Sequence, residues 1–382
     1  MLTDFNLFSF FVALFLAVVA LLLCVYSPTN FLWKIAVVVG GYGHWVALGI
    51  VFYLFINIRT EYWLTTSVFI LATIIYMYPL CYSIWMAKRL KNNLSIAFRH
   101  RNPDYKDCKI DFLKLFNIAQ APKVQIHNYC YSENATHKLN LDIYINGEDN
   151  RKKPCVVVIH GGSWSSGSNK DLPALNHHLA SKGYIVVAVN YALSPLSHYP
   201  AESKDIIKAI EYLNTNAEKF NIDTNNIFLL GRSAGGQLAQ MVGFNLGKNI
   251  IKGIIAYYSP ADLVWGYDNP ASIWVHDSRR VLEDFIGSKI NENSIAYEAA
   301  SPVYQNLHNA PPVLMLHGKL DVLVAFGHNL RLIPKLDANQ IPYYLLSIPW
   351  ATHGFDYFFN SPAAQLSTYA IEYFITNYET DS

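Results

Sequence analysis

Ile227-Phe228-Leu229-Leu230-Gly231-Arg232-Ser233-Ala234-Gly235-Gly236-Gln237-Leu238-Ala239 is the stretch on which the fold turns. An apolar run enters it, a Gly-x-Ser-x-Gly turn follows, and a helix-like run leaves. This is the pattern of a nucleophile elbow, a serine on a tight strand-to-helix turn. A residue at such a turn is held in a strained backbone conformation. The positions two before and two after it must lack side chains, because a Cβ there would strike the crossing strand and helix. The turn exposes the Ser233 oxygen. It also points the amide of Ala234 and the start of a helix dipole at whatever that oxygen attacks.

Outward from the elbow, the chain from about residue 123 first shows a hydrophobic period of two. Val124-Gln125-Ile126-His127-Asn128-Tyr129 and Leu139-Asn140-Leu141-Asp142-Ile143-Tyr144 alternate, which predicts a hairpin. Short apolar runs then alternate with helical patterns. The runs are Cys155–Ile159, Tyr184–Asn190, Asn226–Leu230, Ile251–Tyr257, Pro312–His317 and Tyr343–Ile348. Helices are expected near 170–182, 203–219, 236–247, 326–338 and 362–377. Such alternation argues a mostly parallel sheet covered on both faces. The longest interruption, 263–300, carries Trp265, Tyr267, Trp274, Arg279 and Arg280, and reads as a lid or pocket wall.

A serine nucleophile needs a base, a group to orient that base, and donors for an oxyanion. In an open sheet these come from the carboxyl ends of strands. After one strand stands His160-Gly161-Gly162-Ser163-Trp164, whose bare amides at Gly161 and Gly162, with that of Ala234, suit a developing negative oxygen. Losing one such donor typically costs about 2.7–4 kcal/mol of barrier. Two aspartates follow strands, Asp321 and Asp262. Asp321 is preferred because the His317-Gly318-Lys319-Leu320-Asp321 turn ends its strand sharply. After the last strand, His353-Gly354 stands in a loop, and an imidazole with an ordinary pKa near 6.5 suits a base that must later act as an acid. His160 and His317 precede their turns and read as structural. The order is Ser233, Asp321, His353.

These residues resemble the α/β-hydrolase superfamily, in the branch with HGG oxyanion loops. That branch includes hormone-sensitive-lipase-like, BD-FAE-type and isoprenylcysteine-methylesterase-like enzymes. The resemblance runs over about 120–380 and rests on Val157-Val158-Ile159-His160-Gly161-Gly162, Asn190-Tyr191-Ala192-Leu193-Ser194-Pro195, the elbow, and the turns that hold Asp321 and His353. It implies an α/β-hydrolase fold, Ser233, Asp321 and His353 as a catalytic triad, and Gly161, Gly162 and Ala234 as oxyanion donors. The chain departs at Arg232, where many relatives carry Asp, His or Gln. Arg232 reads either as one half of an ion pair or as positive charge beside an anionic substrate, the former preferred. Trp164, Arg232, Trp265 and Trp274 are the candidates for substrate contact.

Charge and hydropathy divide the chain by solvent. Lys+Arg is 29 and Asp+Glu 28, which argues against nucleic acid as a partner. Residues 1–87 carry only Asp4, Lys34, Arg59 and Glu61. Three apolar runs, Phe5 to Tyr26, Leu32 to Ile56 and Trp63 to Met86, suit the span length of about 20 residues. The first lacks the basic flank and cleavage site of a signal peptide. Gly40, Gly41 and Gly43 suit close helix packing. His44 beside them reads either as part of that packing, which is preferred, or as a polar site within the membrane.

Lys88, Arg89, Lys91, Arg99 and Arg101 follow the third run, with Lys34 on the same side and Arg59 opposite, so the basic end is expected to face the cytoplasm. The sequons at Asn93 and Asn134 are then chance matches. Residues 88–118, basic and then amphipathic, read either as an interfacial connector or as a surface helix. The expected organisation is a three-helix transmembrane domain (1–87), a linker (88–118) and an α/β-hydrolase domain (119–382). The five cysteines, Cys24, Cys81, Cys108, Cys130 and Cys155, show no metal-ligand spacing. They read as free thiols, with a Cys108–Cys130 bridge as the alternative. No cofactor is expected.

The expected activity is hydrolysis of apolar or lipid-like carboxylic esters through an acyl-enzyme at a membrane. Amide hydrolysis (an arylformamidase or peptidase), acyl transfer, and a non-catalytic adaptor are the alternatives.

Overall fold

The computed structural model describes residues 6–57, 62–99, 105–116, 124–133, 138–147 and 151–380. Asp4, Arg59, Glu61, Arg101 and Asn134, which entered the topology and sequon readings, lie outside the described residues.

Three apolar helices come first: α1 (Leu7–Ala20), continued by a 3₁₀ turn at Leu21–Leu23, α2 (Asn30–Asn57) and α3 (Trp63–Ala97). Two of them, α2 with 28 residues and α3 with 35, are long and apolar enough to cross a membrane. The first run is shorter than expected. Instead of reaching Tyr26 it leaves helical geometry at Cys24, because the next residues run back to bring Asn30 beside the 263–300 insertion. The third is longer and passes through the expected boundary at residue 87. Leu90, Leu94 and Phe98 are buried in the same core cluster as strand residues Val156, Val186 and Phe228. The first basic residues of the expected linker therefore lie on helix surface rather than in a connector. A single turn, α4 (Phe112–Leu115), follows, with Phe112 and Leu113 exposed and Leu115 buried. The Leu115 carbonyl accepts from His44 Nε2 and Trp45 Nε1, both at 3.3 Å, so His44 has a docking role against α4. Gly43 lies against Tyr76 of α3, and Gly41 against Phe358, as close packing at glycine requires.

Strands β1 (Gln125–Glu133) and β2 (Lys138–Ile145) form the hairpin. The alternating part follows: β3 (Lys153–Ile159), α5 (Pro173–Ser181), β4 (Ile185–Val189), α6 (Ala201–Thr215), α7 (Ala217–Phe220), β5 (Ile222–Arg232), α8 (Ala234–Leu246) and β6 (Gly253–Tyr257). The insertion holds α9 (Leu263–Asp268), α10 (Ser278–Ile286) and α11 (Ser294–Ala299). β7 (Val313–Gly318), α12 (Gly327–Ala338), β8 (Tyr343–Ile348) and α13 (Pro362–Tyr378) complete the chain. All eight strands join one sheet in the order β1-β2-β4-β3-β5-β6-β7-β8. β1 and β2 pair antiparallel to their neighbours and β3 to β8 run parallel.

The central strands read as unbroken apolar runs because both of their faces are covered. Val157, Ile159 and Val187 face a core built with α6 and α8, through Ile206, Ile210 and Leu238. Val156, Val158 and Val186 face the opposite core, built with α5, α13 and the end of α3, through Leu179, Phe374 and Leu94. Parallel strands bring their carboxyl ends to one edge, and the candidate residues gather there.

Candidate active site

Ser233 stands between β5 and α8 with φ 53° and ψ −120°, a left-handed conformation that a serine adopts only under constraint. The flanking glycines make the turn possible. A Cβ on Gly231 would lie 2.0 Å from the Gly235 carbonyl oxygen, and one on Gly235 would lie 2.3 Å from the carbonyl oxygens of Ile159 and His160. The Ser233 amide is held by the Tyr257 carbonyl at 2.9 Å, so the strained residue is fastened to β6.

Residues 120 apart in the chain meet here. His353 Nε2 lies 3.0 Å from Ser233 Oγ, and His353 Nδ1 lies 2.8 Å from Asp321 Oδ2. A carboxylate only accepts, so Nδ1 carries the proton and Nε2 is free to accept from the serine hydroxyl. Asp321 is itself anchored. Its Oδ1 accepts the amides of Leu323 and Val324, at 2.9 and 2.8 Å. Its Oδ2 also faces His317 Nε2 at 3.2 Å. Burial works to raise the Asp321 carboxyl, but His353, His317 and their hydrogen bonds outweigh it and hold the group well below the usual carboxylate range. His317 Nε2 also donates to the Val324 carbonyl, and its Nδ1 accepts from Asn329. His160 stacks on Tyr191 and bonds the Gly161 carbonyl. Asp262 lies elsewhere, capping α9 through the Trp265 amide and pairing with Arg331.

The glycine loop abuts the nucleophile. A Cβ on Gly161 would sit 3.4 Å from Ser233 Cβ, and Gly162 has φ +109°. Among the described residues, no hydrogen bond uses the amides of Gly161, Gly162 or Ala234. Three unengaged donors near one serine, with the amino end of α8 behind it, can accommodate an oxyanion.

Two cavities, of about 610 and 1040 Å³, meet at Ser233. The smaller is lined by Trp164, Leu263, Trp274, Leu282 and, from the α1–α2 connection, Tyr26 and Pro28. Of the four candidates for substrate contact, Trp164 and Trp274 line it. Trp164 is otherwise committed, stacked on Phe285 at 4.2 Å with its indole N–H on Gln237. Trp265 does not line it. Its ring stands edge-on to His328 at 4.9 Å, under Arg331, because the residue packs α9 onto α12. Arg232 borders the larger cavity, but its Nε is paired with Asp356 Oδ2 at 2.6 Å and its charge lies over Tyr257. The ion pair is the reading the geometry adopts.

Sequence reasoning passed over three groups at the site. Tyr258 packs its ring 4.4 Å from that of His353 and donates to Asp356. Asp356, in the same loop as His353, receives both Arg232 and Tyr258. His276, from the insertion, places Nε2 3.2 Å from Ser163 Oγ and borders both cavities. Burial, with His353 nearby, pushes the His276 imidazole below its ordinary value. A histidine flanked by Asp in a long insertion was the available hint, and it is a weak one. All five cysteines are free thiols, so the alternative bridge does not form. Among the described residues, no group of three His, Cys, Asp or Glu is placed to hold a metal ion.

An eight-stranded sheet of this order, with a strained serine on the turn after β5 and an Asp and a His on later loops, defines an α/β-hydrolase fold. A solved esterase from Rhizomucor miehei has the same architecture, with TM-score 0.60 and 19% identity over 76% of this chain and 96% of that one. The BD-FAE family model matches residues 141–336, and the chain belongs to that family. Esterase LipC of Mycobacterium tuberculosis is 26% identical, over 53% of this chain and 53% of that protein. The isoprenylcysteine alpha-carbonyl methylesterase ICME of Arabidopsis thaliana is 26% identical over 58% and 56%. The chain thus spans about half the length of the curated relatives it matches.

Proposed function

We propose that this chain is a membrane-anchored serine hydrolase that cleaves carboxylic esters of apolar, lipid-like substrates. One observation carries the reading: Ser233 Oγ, His353 and Asp321 form an unbroken hydrogen-bonded chain beside unengaged amides. Ser233 Oγ attacks the ester carbonyl carbon and passes its proton to His353 Nε2. The resulting oxyanion is held by Gly161, Gly162 and Ala234. His353 then protonates the departing alkoxide, leaving an acyl-enzyme. Water attacks that, giving its proton to His353, which returns it to Ser233 as the acid leaves. The smaller cavity, walled by Trp164, Leu263 and Leu282, favours an apolar group on the substrate. The names of the matched relatives agree with ester chemistry.

In this reading α1, α2 and the first part of α3 span the membrane as a three-helix domain, and residues 119–382 form the hydrolase. The basic residues Lys34, Lys88, Arg89, Lys91 and Arg99 support a cytoplasmic hydrolase in this reading. A fluorophosphonate probe should label Ser233 and fail on Ser233→Ala. A panel of esters of graded chain length, run beside matched amides, then reports the preference; faster amide turnover would replace the ester reading. A reporter fused after Ser382 should be active only if cytoplasmic.

A further inference from the structure

The α1–α2 connection is part of the catalytic pocket, which an anchor alone would not require. Tyr26, Ser27 and Pro28 line the same cavity as Ser233. The connection is also tied to the insertion opposite. The Asn30 amide donates to the Trp274 carbonyl at 2.9 Å, and Asn30 Nδ2 donates to the Val275 carbonyl at 3.0 Å.

Tyr26 and Trp274 line that cavity, and Phe31 and Ile273 lie close to them in the chain. Tyr26, Phe31, Ile273 and Trp274 are 62, 70, 75 and 75% exposed, a combination that marks a surface meant for lipid or a partner. Its height follows from the helices. Gly43 meets Tyr76 and Tyr53 meets Phe69, so α2 and α3 run antiparallel. Following both helices from the Gly43–Tyr76 contact toward the hydrolase, Lys34 and Trp85 fall at the same level, about 13 Å further on. Trp85 is exposed and carries Arg89 over its ring at 4.0 Å. Exposed Trp with Lys and Arg at one level is the mark of a headgroup layer. Trp33, beside Lys34, bonds the His353 carbonyl, so the triad lies at that depth. Further along α2, α4 and Phe358 pack against Gly41–Trp45, and there Phe112, Leu113 and Tyr357 are exposed, beside an exposed Asp111.

Resting on the ester-hydrolase reading, we propose that Tyr26–Pro28 complete the acyl pocket and that Ser233 works at headgroup depth on esters still embedded in the adjoining leaflet. The substrate class is then a lipid ester whose hydrocarbon chain enters between the α1–α2 connection and the Trp274 loop. In such a lipid the ester carbonyl lies where chain meets headgroup, which is the level of the triad.

The test uses the full chain in phosphatidylcholine–phosphatidylglycerol vesicles, with Cys24→Ala and Cys81→Ala to clear exposed thiols. A bimane on Trp274→Cys should be quenched by a nitroxide near the top of the acyl chain, about as strongly as one on Phe55→Cys at the far end of α2. Quenching no greater than on Leu330→Cys, an exposed site on α12, would overturn the depth assignment. Ser27→Trp should lower kcat/KM for a palmitoyl ester in the vesicles at least about tenfold more than for a butyryl ester. Equal losses, or none, would overturn the pocket assignment. Fluorophosphonate labelling of Ser233 in the same vesicles keeps the two readings apart. Absent labelling removes the hydrolase reading, whereas normal labelling without quenching at position 274 removes only the leaflet proposal.

Discussion

Trp33 on the second apolar helix donates its indole N–H to the main-chain carbonyl of His353, 3.0 Å away. The two residues are far apart in the chain, yet this bond joins the apolar N-terminal helices to the loop that carries the proposed base. The same loop is held from the other side by Asp321 on the His353 ring and by Arg232 on Asp356. The position of the imidazole therefore depends on both parts of the molecule.

Trp33→Phe keeps the ring and removes that bond. A neutral hydrogen bond contributes about 1 kcal/mol, so fluorophosphonate labelling of Ser233 should slow by up to about fivefold while the fold stays intact. An unchanged labelling rate would show that the bond does not steady the loop.

His353→Ala should cut ester turnover by about four orders of magnitude, and Asp321→Asn should come close to it, because the amide no longer enforces the Nδ1–H tautomer. Steady-state kinetics on a short activated ester measure both. A loss of only tenfold in His353→Ala would point to a different base.

Asp356→Ala leaves the Arg232 guanidinium buried without its partner. Breaking a buried pair from one side costs about 3–5 kcal/mol, whereas replacing both members with apolar residues costs far less. Denaturant melts should show a large drop for Asp356→Ala and substantial recovery in Arg232→Met with Asp356→Leu. Equal stability of the single variant and the parent chain would mean that water reaches Arg232.

Glu202 is fully buried in the first turn of α6, and burial pushes its carboxyl up to about 7, against the pull of its own helix amide and Ser194. A folded pKa above the unfolded one means that the folded chain holds the extra proton. Its contribution to stability is complete below about 4.5 and is lost as pH rises through about 7. Glu202→Gln should flatten the fall in Tm between those limits and be the more stable form at pH 8. Parallel Tm profiles for the two chains would refute this.

Much of the arrangement was legible beforehand because it is local. A Gly-x-Ser-x-Gly turn between an apolar run and a helical run can fold only as an elbow if Gly231 and Gly235 are to avoid their neighbours. The buried runs became strands, and the expected helices lie within a few residues of α5, α6, α8, α12 and α13. Less legible was where helices stop. The first apolar run ended early, with Leu22 and Leu23 buried against the other apolar helices, and the third ran on to Ala97 because Leu90 and Leu94 are buried in the hydrolase core.

By itself, the order of residues determined the sheet-and-helix alternation, the elbow, the glycine loop and the succession Ser233, Asp321, His353. Each of these depends on periodicity or on steric demands within a few positions. Tertiary structure decided which aspartate faces the imidazole, that Arg232 is neutralised by Asp356, that Trp265 turns away from the cavity, and that Tyr26 and Pro28 wall it. Those outcomes depend on side chains distant along the chain competing for the same space and the same hydrogen bonds, and no local pattern encodes that competition.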